Sequence, residues 1–215
     1  MEINFYILRH GETVYNTEKR MQGWSDSPLT EKGEKKASQL GESLKNFRFD
    51  AVFTSDLGRA VKTSELIMEK NHYPAPFFTE QGLREWGLGS LEGTVSYVSV
   101  ITAALDRCKD SSNTRNFLEN FAISARERDA SKKAETYEKA RDRIMSTMKG
   151  AAFTAEKNSW KDILVVTHGM AILTILNEIT GDDMAGKVIP NLTLLKIVYK
   201  DGYFSYEGEH PAPLA

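Results

Sequence analysis

Arg9 and His10 stand at the end of the short apolar run Ile3 to Leu8, and His168 stands at the end of a second run, Asp162 to Thr167. Each histidine is followed by glycine. A strand that hands over to Gly at its carboxyl edge places the preceding side chain in the crevice where ligands of α/β sheets sit, so both imidazoles are candidates for one pocket. The same position after two further strand-like runs carries Ser55 to Arg59 and Arg84-Glu85. Two histidines with arginines, and without cysteines or paired carboxylates, suit a dianionic phosphoryl group better than a metal, because guanidinium binds phosphate oxygens bidentately. A metal would need three ligands, and the carboxylates are too dispersed to nominate them. Neither a metal nor a cofactor is expected.

Neutral imidazole is a competent nucleophile toward phosphorus, with its tautomer set by whatever the other ring nitrogen donates to. His10 is the candidate. Phosphoryl transfer asks mainly for positioning and charge neutralisation, for which Arg9, Arg59 and His168 are available. A leaving alkoxide also needs a proton. Glu85 lies in Leu83-Arg84-Glu85-Trp86-Gly87 beside an apolar indole, where partial desolvation favours a carboxylic acid able to give that proton and later take one from water. Plainer readings stand beside these. Arg59 can pair with Glu65, Arg84 and Glu85 can form an exposed ion pair of little value, and Gly87, Gly89 and Gly93 can serve turns. His72 and His210 read as ordinary hydrogen-bonding residues. What favours chemistry is the joint occurrence of the set at matching points of one alternating pattern.

The elements that must position these residues follow from the apolar pattern. Ile3 to Leu8 and Asp162 to Thr167 are rich in Ile and Val, as central parallel strands covered on both faces are, and Ala51 to Thr54 and Pro76 to Thr79 are two more. Thr30 to Phe47 places Ala37, Leu40, Leu44 and Phe47 at helical spacing behind Thr30 as N-cap, and Arg59 to Lys70 repeats the pattern with Ala60, Leu66 and Ile67. The alternation predicts an α/β fold, three layers deep (α/β/α), with a mixed, mostly parallel central sheet. The interval from about 95 to 157 is charged, helical in composition and without a strand, and reads as a helical lid inserted into a single domain spanning 1–215. Its last part, Ala134 to Met148, reads as one helix. Leu192 to Tyr199 and Tyr203 to Tyr206, around Asp201-Gly202, predict an edge hairpin.

The 215 residues, 40% of them apolar, can bury one full core. Twenty-eight Lys and Arg against thirty Asp and Glu leave a formal net charge of −2, so the basic field of a nucleic-acid binder is missing and any anion site must be local. No stretch reads as a membrane span and none as a cleaved leader, which makes a cytoplasmic protein with a small-molecule partner, and neither nucleic acid nor membrane, the expectation. Cys108 is alone, which excludes an internal disulfide and favours a structural thiol. The oligomeric state is not legible.

Four blocks in order resemble the histidine phosphatase superfamily, in the branch of cofactor-dependent phosphoglycerate mutases and small phosphatases. They are Leu8-Arg9-His10-Gly11-Glu12-Thr13 with Asn16, Ser55 to Ala60 with Thr63, Leu83-Arg84-Glu85 with Gly87, Gly89, Glu92 and Gly93, and Thr167-His168-Gly169. The resemblance implies that His10 is phosphorylated during turnover, that Arg9, Arg59 and His168 complete the phosphate pocket, and that Glu85 is the proton donor. It also implies that Asn16 and the Gln22-Gly23 turn contact the phosphate or substrate, and that Asp26 to Thr30 with Gly33 form the turn into the first long helix.

The mutases of this family usually carry a longer insertion with adjacent arginines and a proline-rich stretch. Here the interval 95–157 has no proline and no Arg-Arg pair, and Ser112 to Asn116 is its only comparable element. Lys133-Ala134-Glu135-Thr136-Tyr137 is similar instead to the Gly-Glu-Ser segment that opens a helix in the phosphatase branch, although Ala134 and Thr136 depart from it. A phosphomonoester hydrolase acting on a small phosphorylated metabolite is therefore the preferred reading, a phosphoglycerate mutase the alternative, and a non-catalytic phosphate-binding module a remote third. Val98, Ile101, Phe117, Leu118 and Phe121 can roof the phosphate, but lid helices need apolar contacts in any case, and that structural explanation is preferred. Trp24 and Trp86, beside Gly23 and Glu85, are the expected pocket-lining aromatics.

Overall fold

A computed structural model of the chain describes residues 1–210. Its strands β1 (Glu2–Arg9), β2 (Ala51–Ser55), β3 (Phe77–Glu80), β4 (Asp162–Thr167), β5 (Leu194–Lys200) and β6 (Tyr203–Glu209) form one sheet in the order β3-β2-β4-β1-β5-β6. The first four run parallel and the last two are joined antiparallel, so the sheet is mixed and mostly parallel. The helices are α1 (Val14–Thr17), α2 (Glu31–Ser43), α3 (Gly58–Met68), α4 (Tyr97–Cys108), α5 (Phe117–Arg128), α6 (Tyr137–Asn158) and α7 (Gly169–Thr180).

The pleat sorts the apolar residues between two layers. Ile3, Phe5 and Ile7 of β1, with Ile163 and Val165 of β4, are buried with Ala140, Ile144 and Met148 of α6 and Ala171, Ile172 and Ile175 of α7. Tyr6, Leu8, Leu164 and Val166 face the other way, onto Leu44 at the end of α2 and Ala60 and Ile67 of α3. Strands apolar on both faces can only be central, and β1 and β4 are adjacent, with Arg9 opposite Thr167. The two exits from the sheet, His10 and His168, therefore leave side by side. Arg59 enters the same edge at the start of α3, after β2.

Capping explains how the chain leaves that edge. Thr13 closes a capping box with Asn16 at α1, and the Thr30 hydroxyl accepts from the Gly33 amide at 2.9 Å to start α2. Gly33 must be glycine because a Cβ there would lie 2.2 Å from the Glu12 carbonyl oxygen, so α2 is pressed against the loop that carries His10.

Several boundaries differ from the sequence expectation, among them the end of α2, at Ser43 short of Phe47. α6 begins at Tyr137 behind Thr136 and runs to Asn158, ten residues past Met148, because Ala151, Ala152 and Ala155 continue its buried stripe in small residues that a search for large apolar ones overlooks. This helix packs on α7, on the turn Gln81–Leu83 and on β1, whereas α4 and α5 pack mainly on each other, so residues 137–158 form part of a layer beside the sheet. The edge hairpin starts at Leu194, because Leu192 takes a φ of 62°, and it turns at Asp201 and Gly202, both with positive φ.

Candidate active site

The two imidazoles meet at the carboxyl edge of β1 and β4, with ring centroids 5.1 Å apart and both side chains buried. His10 Nδ1 lies 2.7 Å from the Gly11 carbonyl oxygen. A carbonyl only accepts, so Nδ1 carries the proton and Nε2 keeps a bare lone pair. His168 has the opposite tautomer: its Nδ1 accepts from Arg59 Nε at 3.2 Å, which puts its proton on Nε2, a buried atom with no partner among the described residues. Burial first, and then the nearby Arg59 and Arg9 charges, hold both rings well below the ordinary histidine value. His10 is a neutral base with a free lone pair, and His168 is a neutral donor.

Two guanidiniums surround them. Arg59 is buried and bonds through Nη1 to the Ser25 carbonyl and to Asp26 Oδ1, both at 2.9 Å, and through Nη2 to the Gly23 carbonyl at 2.7 Å. With Nε on His168, one of its five N–H groups is left. Arg59 thus pairs with Asp26, not with Glu65, and it orients His168 as well as supplying charge. Arg9 is tied through Nη1 to the Ile189 carbonyl, and its buried Nε has no partner among the described residues. A buried N–H without a partner costs free energy unless something fills the site. Arg9 Nε and His168 Nε2 are two such groups at one edge of the sheet.

Glu85 is buried at the amino end of α7, where Oε1 accepts from the amides of Trp86 and Ala171, both at 3.0 Å, and Oε2 from Met170 at 2.9 Å. Burial outweighs these bonds and the charges of Arg59 and Arg9, and pushes the carboxyl above the usual carboxylate range. Oε2, with one donor, is the oxygen with room for a proton. Glu85 makes no ion pair with Arg84, which instead holds Asp56 through Nε at 2.7 Å and Nη2 at 2.6 Å.

Beside this cluster opens a cavity of about 730 Å³ lined by Arg9, Asn16, Gln22, Glu85, Trp86 and Asn191, among others, whereas His10, Arg59 and His168 are not part of its lining. Asn16 and Gln22 line it, Gln22 braced between Thr13 and Ser27. Gly23 does not face it: its amide donates to Glu92, its carbonyl holds Arg59, and a Cβ there would stand 2.1 Å from the Trp86 carbonyl oxygen. It supports Arg59 from behind. Trp24 is the second correction, because its indole donates outward to the Glu85 carbonyl beneath the Arg84 guanidinium and leaves the cavity lining to Trp86. The third concerns the roof: Val98, Ile101, Phe117 and Phe121 do line the cavity, while Leu118 turns into the core.

Asn191 and Arg143 carry no sequence signal of their own, and Glu92 and Glu135 fall in matching blocks without an assigned role. Asn191 donates to the His10 carbonyl at 2.9 Å and to Asn16 Oδ1 at 3.2 Å. Glu92 collects the amides of Gly23, Trp24, Ser25 and Leu88. Arg143 donates to the carbonyls of Gly82, Arg84 and Glu85 while paired with Glu135, which itself accepts from the Gly87 amide. The Glu85 segment is thereby strapped to α6. Among the described residues no three His, Cys, Asp or Glu side chains converge as a metal site, and no helix is long and apolar enough to cross a membrane.

Comparison with known proteins matches residues 5–208 to the family model of the histidine phosphatase superfamily (branch 1). A probable phosphoglycerate mutase GpmB of Citrobacter koseri is 32% identical over 179 residues, 83% of this chain and 75% of that protein. An uncharacterized phosphatase PhoE of Bacillus subtilis is 32% identical over 177 residues, 82% of this chain and 77% of that protein. The crystal structure of a phosphoglycerate mutase from Bacillus anthracis superposes with a TM-score of 0.84 at 30% identity, covering 96% of this chain and 92% of its own.

Proposed function

This chain belongs to the histidine phosphatase superfamily, branch 1, and on that premise we propose that it is a phosphomonoester hydrolase working through a phosphoryl group carried on His10. The observation that carries the reading is the tautomer of His10: Nδ1–H is committed to the Gly11 carbonyl, so a neutral Nε2 lone pair is the free end of the ring.

In the first half-reaction Nε2 of His10 attacks phosphorus. The N–P bond forms as the ester P–O bond breaks, and Glu85 gives its proton to the leaving oxygen. Arg9 Nε, His168 Nε2–H and the remaining Arg59 N–H neutralise charge on the equatorial oxygens. In the second half-reaction Glu85 takes a proton from water as its oxygen bonds to phosphorus, the N–P bond breaks, and inorganic phosphate leaves with His10 neutral again. The raised affinity of Glu85 for its proton supports its acting first as an acid and then as a base.

The names of relatives such as GpmB favour a mutase as the second reading. Against it, Arg115, in the only element of the interval comparable to the mutases' paired arginines, does not line the cavity, and most of the cavity wall is apolar. Assay of phosphate release from p-nitrophenyl phosphate, beside conversion of 3-phosphoglycerate with and without a bisphosphoglycerate, separates the two. Release abolished in His10→Ala supports the proposal. Isomerisation stimulated by the bisphosphate replaces it with the mutase.

A further inference from the structure

We infer that the ester taken by this site carries a sizeable apolar organic group, aryl or alkyl, seated between α4, α5 and the segment Gly186 to Ile189. The inference rests on the hydrolase reading and names its substrate class.

Of the phosphate-handling groups, only Arg9 and Glu85 line the cavity, and they take up a small part of its wall. Its volume of about 730 Å³ falls within the roughly 300–1,000 Å³ range of pockets that enclose a drug-sized ligand. A three-carbon acid would fill little of it. Val95, Val98 and Ile101 on one side, Phe117 and Phe121 of α5, and Val188 opposite supply apolar wall beyond these two groups.

Exposure separates two explanations for those side chains. Phe117 and Phe121 are buried, as packing of the lid helices requires, but packing alone would bury the valines of the wall as well. Val98 is instead 70% exposed and Val188 68%. Of the ten large apolar side chains that the described residues leave exposed, four (Val95, Tyr97, Val98 and Val188) line this one cavity, which is clustering rather than the single scatter of an ordinary surface. Tyr97 lines the same cavity as Arg9 and Glu85, so this clustering shares one space with those charged groups.

Cations at the mouth are the counter-argument, because they suit a short polyanionic ester. Arg20 is spent on Glu18 and on the Gly93 carbonyl. Lys187 lies 3.9 Å from Asp182, and Lys19 remains; both sit on flexible stems that let the ammonium stay in water while the methylenes extend the apolar wall.

Binding of n-alkylphosphonates, from ethyl to octyl, to the wild-type chain by calorimetry tests the assignment without requiring turnover. Burial of each added methylene tightens Kd on the order of two- to four-fold until the cavity is filled. Val98→Asn and Val188→Asn, at exposed positions, reduce that slope while thermal melting confirms the fold. Affinity that does not change with chain length, or tighter binding of a hydroxylated or carboxylated phosphonate than of butylphosphonate, overturns the inference. A steep slope in a chain that hydrolyses no phosphomonoester leaves the apolar seat standing and removes the hydrolase reading. Hydrolysis of p-nitrophenyl phosphate with a flat slope removes the substrate class alone.

Discussion

Replacing Arg143 by Met probes how the acid is held rather than the acid itself. The guanidinium makes five bonds: two to Glu135, at 2.7 and 3.2 Å, and one each to the carbonyls of Gly82, Arg84 and Glu85. Hydrogen bonds to charged groups contribute roughly 1.5–3 kcal/mol each, and breaking a fully buried ion pair costs about 3–5 kcal/mol. Here the side chains are 19% and 12% exposed, so water compensates in part. A stability loss of about 2–4 kcal/mol is expected, read as a lower urea midpoint with an unchanged slope. The catalytic effect is larger and selective, since a displacement of about 1 Å at a reacting group costs on the order of 100-fold. kcat/KM for an alkyl phosphate, whose leaving group needs Glu85's proton, should fall by that order. p-Nitrophenyl phosphate, whose leaving group departs with little protonation, should lose only a few-fold. Glu85→Gln should show the same selectivity, and Arg143→Lys an intermediate loss. Equal losses on both substrates in Arg143→Met would refute the positioning argument, and an unaltered alkyl-to-aryl ratio in Glu85→Gln would remove the carboxyl as acid.

The buried histidines set a pH dependence with a definite sign. His10 and His168 are neutral in the fold, with depressed pKa, and protonate at the ordinary value of about 6.5 when the chain unfolds. Their contribution is therefore complete above that value and lost as pH falls below it, by about 1.4 kcal/mol per pH unit for each ring. Glu85, with a raised pKa, works the other way: its contribution is present below the ordinary carboxylate value and lost as pH rises through its folded value. Urea midpoints from pH 7 to 5 should fall, and His168→Asn should flatten that fall; an equal pH slope in the variant would show that the ring does not titrate on unfolding. Gly33→Ala should cost about 1–3 kcal/mol and reduce turnover, because the added carbon meets the Glu12 carbonyl behind His10. Gly150→Ala, in open space within α6, should raise the melting temperature by the equivalent of about 0.5–1 kcal/mol. A Gly33→Ala melt equal to wild type would contradict the close approach.

The parallel core of the sheet and the convergence of side chains at its carboxyl edge are legible in the sequence because local pattern dictates both. A strand apolar on both faces has only a central place to go, and a residue at its carboxyl end then lies at the edge where Arg9, His10, Arg59 and His168 meet. What escapes is whatever depends on contacts between distant loops. Arg143 is one more cation in a charged helix until the turn at Gly82 to Glu85 lies against it. Asn191 carries no spacing rule that ties it to His10, and Glu92, although it falls in a matching block, none that ties it to Gly23. Trp24 misleads for the same reason, since proximity in sequence to Gly23 does not say which side of the loop its indole takes. The structural reading of the roof holds for Phe117, Leu118 and Phe121, which are buried, and fails for Val98, because helical periodicity explains apolar residues on α4 equally well whether they face a neighbouring helix or an open cavity, and only exposure distinguishes the two.

The central claim is that phosphorus is displaced twice, first by His10 Nε2 and then by water. Hydrolysis of a phosphomonoester made chiral at phosphorus with oxygen isotopes and sulfur reads this directly. Each in-line displacement inverts configuration, so the account predicts net retention in the inorganic thiophosphate. Net inversion would mean that water attacks the ester in a single step, and it would contradict the phosphohistidine.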